Sequence, residues 1–404
     1  AGNEIRFAAG PSAGTATFAN DGQVTITLRN FGAGSTVNVN GAQGDDTISI
    51  APNGVSEFSQ FTVNGNAPTG SDTVQFEGTT GIDNFTYTPG VTSIEEGHVV
   101  YDLGGGEQVD IDFLGFSDVA FIGLGGTDTL LVNEPAPGSS DAILLLPELG
   151  NDGSFTYTVQ NFGAETAQVF PTVSYKSIET REFNTGTGSD YFGFYFDNVP
   201  GVDSDVFAVG GNGGTIVGFE DQVTTFTHDI SDPDVLDLEI GSGVDTYDIT
   251  PGQGIEIQVR GGLDFDTLTY RLLAAAATLD IAGRTISQPG LGDVTYTSME
   301  RVVLQGNLAG DTLDVTGKPE DQSLIYQPLT PAGGRFEVTS GSTEYRFEGF
   351  DGSVTAFGTP AADDKVFVLG SNLRDRIAVD GAGLMIHSTN AADVVLKSLQ
   401  LEDF

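Results

Sequence analysis

Apolar and polar residues alternate with a period of two along most of the chain. The clearest runs are VTITL from Val24, TVNVNG from Thr36, FTVNG from Phe61, QVDIDF from Gln108, VLDLEI from Val235 and IEIQV from Ile255. Successive side chains of a strand point to opposite faces, so this pattern predicts strands with one buried face and one wetted face. Thr, Val, Ile, Phe and Tyr fill the runs, and Gly, Asn, Asp and Pro separate them, which is the composition of strands joined by tight turns. Helical spacing is nearly absent. The one stretch that invites a helix is RLLAAAA from Arg271. The expected class is all-β.

The strands belong to repeats. YKSIETREFNTGTGSDYFGF from Tyr175 and YTSMERVVLQGNLAGDTLDV from Tyr296 share one plan: Tyr-x-Ser-apolar-Glu, a strand, glycines, then an aspartate. Ser177 precedes Asp190 by 13 positions, and Ser298 precedes Asp311 by the same number. GFSDVAFIGLGGTDTL from Gly115 is a looser copy, with Phe116 standing 12 before Asp128 as Ile178 and Met299 stand before their aspartates. Asp128, Asp190, Asp245, Asp311 and Asp375 follow one another at 62, 55, 66 and 64 positions, and shorter steps of 26 and 21 separate Asp46 from Asp72 and Asp245 from Asp266. Steps near 22, doubling to 45 from Asp83 to Asp128 and from Asp266 to Asp311, suit the coils of a parallel β-solenoid. The alternative is a tandem series of small antiparallel β-sandwich modules of about 60 residues each.

This organisation predicts an N-terminal β cap or assembly segment over 1–35. A repeat array over 36–390 follows, with units at roughly 36–138, 139–200, 201–260, 261–317 and 318–390. An incomplete terminal repeat strand over 391–404 ends the chain, because LKSL at Leu396 opens a repeat whose aspartate would fall beyond Phe404. Excision from a longer protein, completion by another subunit and a decayed terminal cap all account for it. The start AGNEIRF, without methionine, reads as a processed or excised product.

Charge adds the next constraint. The 404 residues carry 57 acids against 15 bases, a net charge of −42, and lysine occurs only at positions 176, 318, 365 and 397. Such a chain has no general electrostatic attraction for nucleic acid or an anionic membrane surface. Multivalent cations, a saline medium or solubility at high density would suit it, and so would plain solvation of exposed faces. There is no cysteine, which removes disulfides, zinc–thiolate sites and thiol nucleophiles. The longest apolar stretch, LLAAAATL from Leu272, is too short to cross a membrane as a helix, so no membrane insertion is expected.

The recurring phrase is Gly-x-Asp followed by Thr or another strand residue. It supplies the candidate site residues Asp46, Asp72, Asp83, Asp128, Asp190, Asp245, Asp266 and Asp311. As a structural cassette, the glycine allows a positive φ, the aspartate accepts backbone amides to lock the turn, and the β-branched residue starts a strand. A second use is metal binding, since calcium takes six to eight oxygens from carboxylates and carbonyls on loops. GSGVDTYDI from Gly241 and GTGSDYFGF from Gly186 resemble the second half of the glycine-rich nonapeptide of hemolysin-type (RTX) calcium-binding repeats. The wider Tyr-x-Ser-[Ile/Met]-Glu…Gly-x-Gly-x-Asp pattern is similar to large secreted repeat proteins of aquatic bacteria. The resemblance covers most of the chain from about residue 36 and implies calcium as cofactor, with Asp45, Asp203, Asp205, Asp264 and Asp363 as further ligands. The copies here are isolated rather than in direct tandem, so a shared ion requires that aspartates of successive coils stack. The closest pairs in sequence are Asp72 with Asp83 and Asp364 with Asp375.

No catalytic constellation stands out. His98, His228 and His387 lie in unrelated settings, more often those of exposed or strand-facing histidines than of ligands. There is no Walker loop, nucleophile elbow or HExxH. GLGGTD at Gly123 has the look of a dinucleotide loop, but no helix pattern follows it. The expected function is therefore non-enzymatic: a secreted structural protein of a bacterial surface, a subunit of a filament, sheath or surface layer. Copies would assemble head to tail as a homopolymer stabilised by calcium. The alternatives are an adhesin that binds glycans or cell-surface polysaccharide as part of a larger exoprotein, and a polysaccharide-active enzyme using a pair of its many carboxylates.

Overall fold

A computed structural model defines the backbone of residues 4–9, 15–20, 26–29, 35–41, 43–51, 60–66, 72–90, 93, 95–102, 108–147, 152–160, 168–186, 188–196, 206–209, 215–218, 222–227, 234–240, 244–307, 310–316, 323–330, 333–338, 343–350, 354–357, 365–368, 375–380, 383–388 and 394–397. The described residues contain strands and turns and no helix, and the strands join large mixed sheets that do not close. The all-β expectation holds. The helix-tempting segment is a correction: Arg271 ends one strand, Leu272–Ala275 turn, and Ala276 starts the next. Its alternation decides this, since Ala277 and Leu279 are buried while Leu273 is half exposed. A helix would also leave the neighbouring ladder unpaired.

The chain divides into two compact units, residues 1–195 with 219–232, and residues 196–218 with 233–404. In the first unit the chain passes back and forth between two sheets. One sheet receives β1 (Glu4–Ala9), β2 (Thr15–Asn20), β3 (Ile26–Arg29), β5 (Thr47–Ile50), β7 (Thr73–Glu77), β11 (Asp118–Ile122), β13 (Ser140–Pro147), β14 (Gly153–Gln160), β15 (Gln168–Val169), β16 (Thr172–Lys176) and β18 (Tyr191–Phe196). The other receives β4 (Thr36–Asn40), β6 (Gln60–Asn64), β8 (Asn84–Pro89), β9 (Glu96–Asp102), β10 (Gln108–Leu114), β12 (Thr129–Asn133), β17 (Thr180–Asn184) and β21 (Gln222–Thr227).

Most neighbours are parallel: β1, β5, β7, β11 and β16 run in one row, and β8, β12, β17 and β21 in another. Antiparallel triplets interrupt the rows. In β8–β9–β10 the third strand returns beside the earlier strand β6, and the first takes the later strand β12 as its parallel neighbour. The triplet β13–β14–β16 does the same with β11 and β18. Alternate side chains of both sheets meet between them. Phe61 of β6 lies edge-on to Phe7 of β1, Phe85 of β8 to Phe121 of β11, and Phe183 of β17 to Phe155 of β14 and Phe192 of β18. Edge-to-face rings add specific attraction to the apolar burial that drives this packing.

The second unit follows the same plan. One sheet holds β22 (Asp234–Ile240), β24 (Ile255–Arg260), β26 (Ala276–Asp280), β27 (Thr285–Ser287), β28 (Val294–Thr297), β30 (Thr312–Thr316), β34 (Val354–Phe357), β36 (Asp375–Asp380), β37 (Gly383–Ser388) and β38 (Val394–Lys397). The other holds β19 (Val206–Val209), β23 (Thr246–Ile249), β25 (Thr267–Arg271), β29 (Arg301–Gln305), β31 (Ser323–Thr330), β32 (Gly333–Val338), β33 (Glu344–Glu348) and β35 (Lys365–Val368). The unit also includes β20 (Thr215–Gly218). The triplets are β26–β27–β28, β31–β32–β33 and β36–β37–β38, and their third strands return beside β24, β29 and β34. The Tyr296 hydroxyl donates to that of Tyr345 across the two sheets.

Each return from a triplet ends at a sharp corner. Gly115, Ser177, Ser298 and Gly349 follow β10, β16, β28 and β33, with φ of 80°, 52°, 54° and 74°. The next residue, Phe116, Ile178, Met299 or Phe350, is buried and turns the chain into the facing sheet. The Tyr-x-Ser-apolar-Glu motif is this corner. The LKSL copy places its lysine at the end of β38, while its serine lies outside the described residues.

Candidate functional site

All eight candidate aspartates occupy one structural position: each stands immediately before a strand, and each is at most 4% exposed. The strand-start cassette accounts for the position. Parallel pairing of the strands accounts for the rest, because it stacks the aspartates of neighbouring coils. The Asp46 amide donates to Asp72 Oδ1 at 2.7 Å, the Asp83 amide to Asp128 Oδ1 at 2.9 Å, and the Asp245 amide to Asp266 Oδ1 at 3.0 Å. Return bonds complete each strut. The amides of Thr73, Thr129 and Thr267 donate to the carbonyls of Asp46, Asp83 and Asp245, each at 2.8 Å. A buried amide without an acceptor would cost on the order of 1–3 kcal/mol, so each carboxylate secures the coil before it.

Three acids that the motif did not nominate belong to the same ladder. The Asp128 amide donates to Glu179 Oε2 at 2.7 Å and the Asp266 amide to Glu300 Oε2 at 2.8 Å. The glutamate of Tyr-x-Ser-[Ile/Met]-Glu thus replaces the aspartate as the next rung, its longer side chain reaching back from the corner. In the looser copy, the corner residue Ser117 donates its amide to the Asp72 carbonyl at 3.1 Å. Asp141, at the start of β13, donates its amide to Asp190 Oδ1 at 3.0 Å. In GSSDAIL from Gly138 the glycine stands three before Asp141, one position off the motif's spacing, and the glutamate shared by the two long repeats was the legible sign of the other two. Glu300→Gln is expected to keep the Asp266 amide satisfied and to shift melting little. Glu300→Ala is expected to cost roughly 1–3 kcal/mol by orphaning it. Thermal melting of the two variants compares them directly.

A middle-strand tyrosine closes the ladder twice. Tyr157 of β14 donates its hydroxyl to Asp141 Oδ2 at 2.7 Å, and Tyr101 of β9 donates to Asp83 Oδ1. Thr79 donates its amide to Asp83 Oδ2 at 2.6 Å, from within the same turn. Burial, helped by the neighbouring carboxylates, pushes both tyrosines far above their ordinary range. They act as fixed donors.

The second carboxylate oxygen faces a glycine five positions upstream. A Cβ on Gly123 would stand 2.2 Å from Asp128 Oδ2 and 2.1 Å from the Ser177 carbonyl, and one on Gly261 would stand 2.7 Å from Asp266 Oδ2 and 2.2 Å from the Ser298 carbonyl. Asp128 Oδ2 and Asp266 Oδ2 are buried and have no hydrogen-bond donor. Burial first, then the charges of Asp83 and Glu179, raises the Asp128 carboxyl to about 6. Burial first, then Asp245, Glu300 and Asp264, raises Asp266 to about 7.

Calcium requires six to eight oxygens around one point. Among the described residues no three acidic or histidine side chains converge in that way. Of the further ligand candidates, Asp45 and Asp264 are exposed, and Asp203, Asp205 and Asp363 lie outside the described residues; of the pair Asp364 and Asp375, the first lies outside them too and the second begins β36. The stacked carboxylates stand one rung apart along the ladder, each taking the amide of the coil before it. What they do chemically is accept backbone amides.

His98 of β9 lies 2.8 Å from Asp112 and 3.8 Å from Asp110 on an outer face, His387 belongs to β37, and His228 lies outside the described residues. GLGGTD turns into the strand β12 rather than a helix. No protein-family model, curated protein or solved structure matches the chain.

Proposed function

We propose that this chain is a non-enzymatic structural protein of the extracellular surface, a subunit of a filament, sheath or surface layer that assembles head to tail. The observation that carries this reading is the use made of the repeated acids. They are spent on backbone amides between coils, so the most repeated chemistry of the sequence maintains a stack rather than a reactive centre. Sheets that do not close, built from parallel rows, support the finer assignment of a β-solenoid interrupted by hairpin triplets over that of separate sandwiches.

Calcium enters the proposal through the exposed acids. With a net charge of −42, copies packed side by side repel one another, and a divalent cation in the shared solvent relieves that repulsion. Negative-stain imaging of the purified chain, in calcium and in chelator, tests the reading. Filaments or sheets that thicken or lengthen with calcium are the expected result. A chain that stays monomeric in millimolar calcium overturns it.

A further inference from the structure

Two hairpin triplets in equivalent places carry opposite charge. In the first unit β8–β9–β10 returns its third strand beside β6, and in the second unit β31–β32–β33 returns its third strand beside β29. The corner glycines that follow, Gly115 and Gly349, fix the alignment. Asp110 and Asp112 stand five and three positions before Gly115, and Glu344 and Arg346 stand five and three before Gly349. Opposite Asp112 on the middle strand is His98, and opposite Arg346 is Arg335. The parallel neighbour begins with Gln60 in the first unit and with Arg301 in the second.

The outer face of the first triplet is acidic. It carries Glu96, Asp102, Asp110 and Asp112, and its four strands hold no lysine or arginine. Asp112 accepts Gln60 Nε2 at 2.8 Å and lies 2.8 Å from His98 Nδ1, yet the side chains of Asp110 and Asp112 remain 54% and 48% exposed.

The outer face of the second triplet gathers arginines. Glu344 accepts Arg301 Nε at 2.9 Å, Arg335 Nη1 at 3.3 Å, and Arg346 Nε and Nη2 at 3.1 and 3.3 Å. Glu337 lies opposite Glu344, and Glu348 stands two residues beyond Arg346. At the centre one carboxylate thus meets three guanidinium groups, whose side chains are 29%, 34% and 32% exposed. Both terminal nitrogens of Arg301, and Nη1 of Arg346, have no acceptor among the described residues. A guanidinium with spare N–H groups is suited to a further carboxylate.

We propose that these two faces meet between copies, the aspartate face of one chain against the arginine face of the next. This rests on the head-to-tail reading and names its contact. A second copy is the occupant because the chain itself carries the acidic counterpart, on the same structural element, and both faces stand open in the single chain. The contact joins two different surfaces, so it leaves one of each free at the ends and continues as an open row. Exposed ion pairs are each worth at most about 1 kcal/mol, so the set selects which faces meet more than it supplies affinity. In about 0.15 M salt, repulsion between charges farther apart than about 8 Å is screened, while partly buried pairs are screened much less. The net −42 then opposes the contact least.

Reversing each face in turn tests the contact by negative-stain imaging. One chain carries Asp110→Arg with Asp112→Arg, and the other carries Arg335→Glu with Arg346→Glu. Each alone presents like charges on both faces and is expected to give filaments at least tenfold shorter than the parent. An equimolar mixture of the two is expected to restore parental length, because every contact in an alternating row is again between opposite charges. That rescue separates a lost contact from a lost fold. Reversed chains that stay short when mixed would overturn the contact. Rescue in a chain carrying all four substitutions, but not in the mixture, would place the pairing within one chain and would also overturn it. Parental filaments from either reversed chain would overturn the contact and leave the head-to-tail reading standing. If the arginine-reversed chain then also loses binding of an oligouronate that the parent binds, the face belongs to an acidic glycan. A parent that forms no filament overturns both readings.

Discussion

Gly123→Ala and Gly261→Ala are each expected to destabilise their own unit by about 3 kcal/mol, the upper end of overpacking costs in a well-packed interior. For units of this size that lowers the melting temperature by roughly 10 °C. The cause is local and cannot relax cheaply. The new methyl on Gly123 would meet the Ser177 carbonyl at 2.1 Å and Asp128 Oδ2 at 2.2 Å. The carbonyl belongs to a corner whose serine already has a φ of 52°, and the carboxylate is held by the Asp83 amide. Gly261 repeats the arrangement with Ser298, at φ 54°, and Asp266. Gly81→Ala is the control, because its nearest contact would be Thr79 Oγ1 at 3.3 Å. Calorimetry resolves the comparison, and equal melting of Gly81→Ala and Gly123→Ala would refute the account of the glycine gap.

The second large effect is a stability that falls as pH rises toward neutrality. The Asp128 and Asp266 carboxyls are raised to about 6 and about 7, from an ordinary value of 3.8, so the folded chain binds protons that the unfolded chain has released. For an acid raised in the folded state, the stabilising contribution is complete below the unfolded value. It is lost as pH rises through the folded value, here between about pH 4 and pH 7. At about 1.4 kcal/mol per unit of displacement, the two rungs together account for several kcal/mol at most. The exposed acids act in the same direction, since ionising them builds the repulsion of a chain at −42.

Asparagine separates the two causes. Asp128→Asn and Asp266→Asn keep the Oδ1 acceptor for the Asp83 and Asp245 amides and remove the titration. They also place an amide donor in the gap that faces the Ser177 and Ser298 carbonyls. Denaturant titrations at pH 5 and pH 8 should show the parent more stable at pH 5 and the double variant with a smaller difference. The variant should be the more stable of the two at pH 8. A parent that gains stability from pH 5 to pH 8 would contradict the buried-proton account.

The alternation of VTITL, TVNVNG and IEIQV was enough to specify strands, because a strand's two faces impose a period of two wherever one face is buried. The Gly-x-Asp-Thr phrase was enough to mark where strands begin, since positive φ, side-chain acceptance and β-branching are local properties of those residue types. The equivalence of Phe116, Ile178 and Met299 was also legible, and each proves to be the buried residue of a corner. That the acids take backbone amides was legible, but which amides they take across the sheet was not. Asp128 and Glu179 are 51 positions apart, and Asp266 and Glu300 are 34 apart. Which carboxylate meets which amide depends on the parallel register of strands brought together from distant parts of the chain. The triplets decide that register. An antiparallel hairpin and a parallel coil use the same alternating residues, so the sequence by itself determined strands, turns and a candidate ladder. The tertiary structure alone decided which distant backbone amides complete the ladder, because hydrogen-bond partners across a sheet are selected by long-range pairing and burial rather than by local pattern.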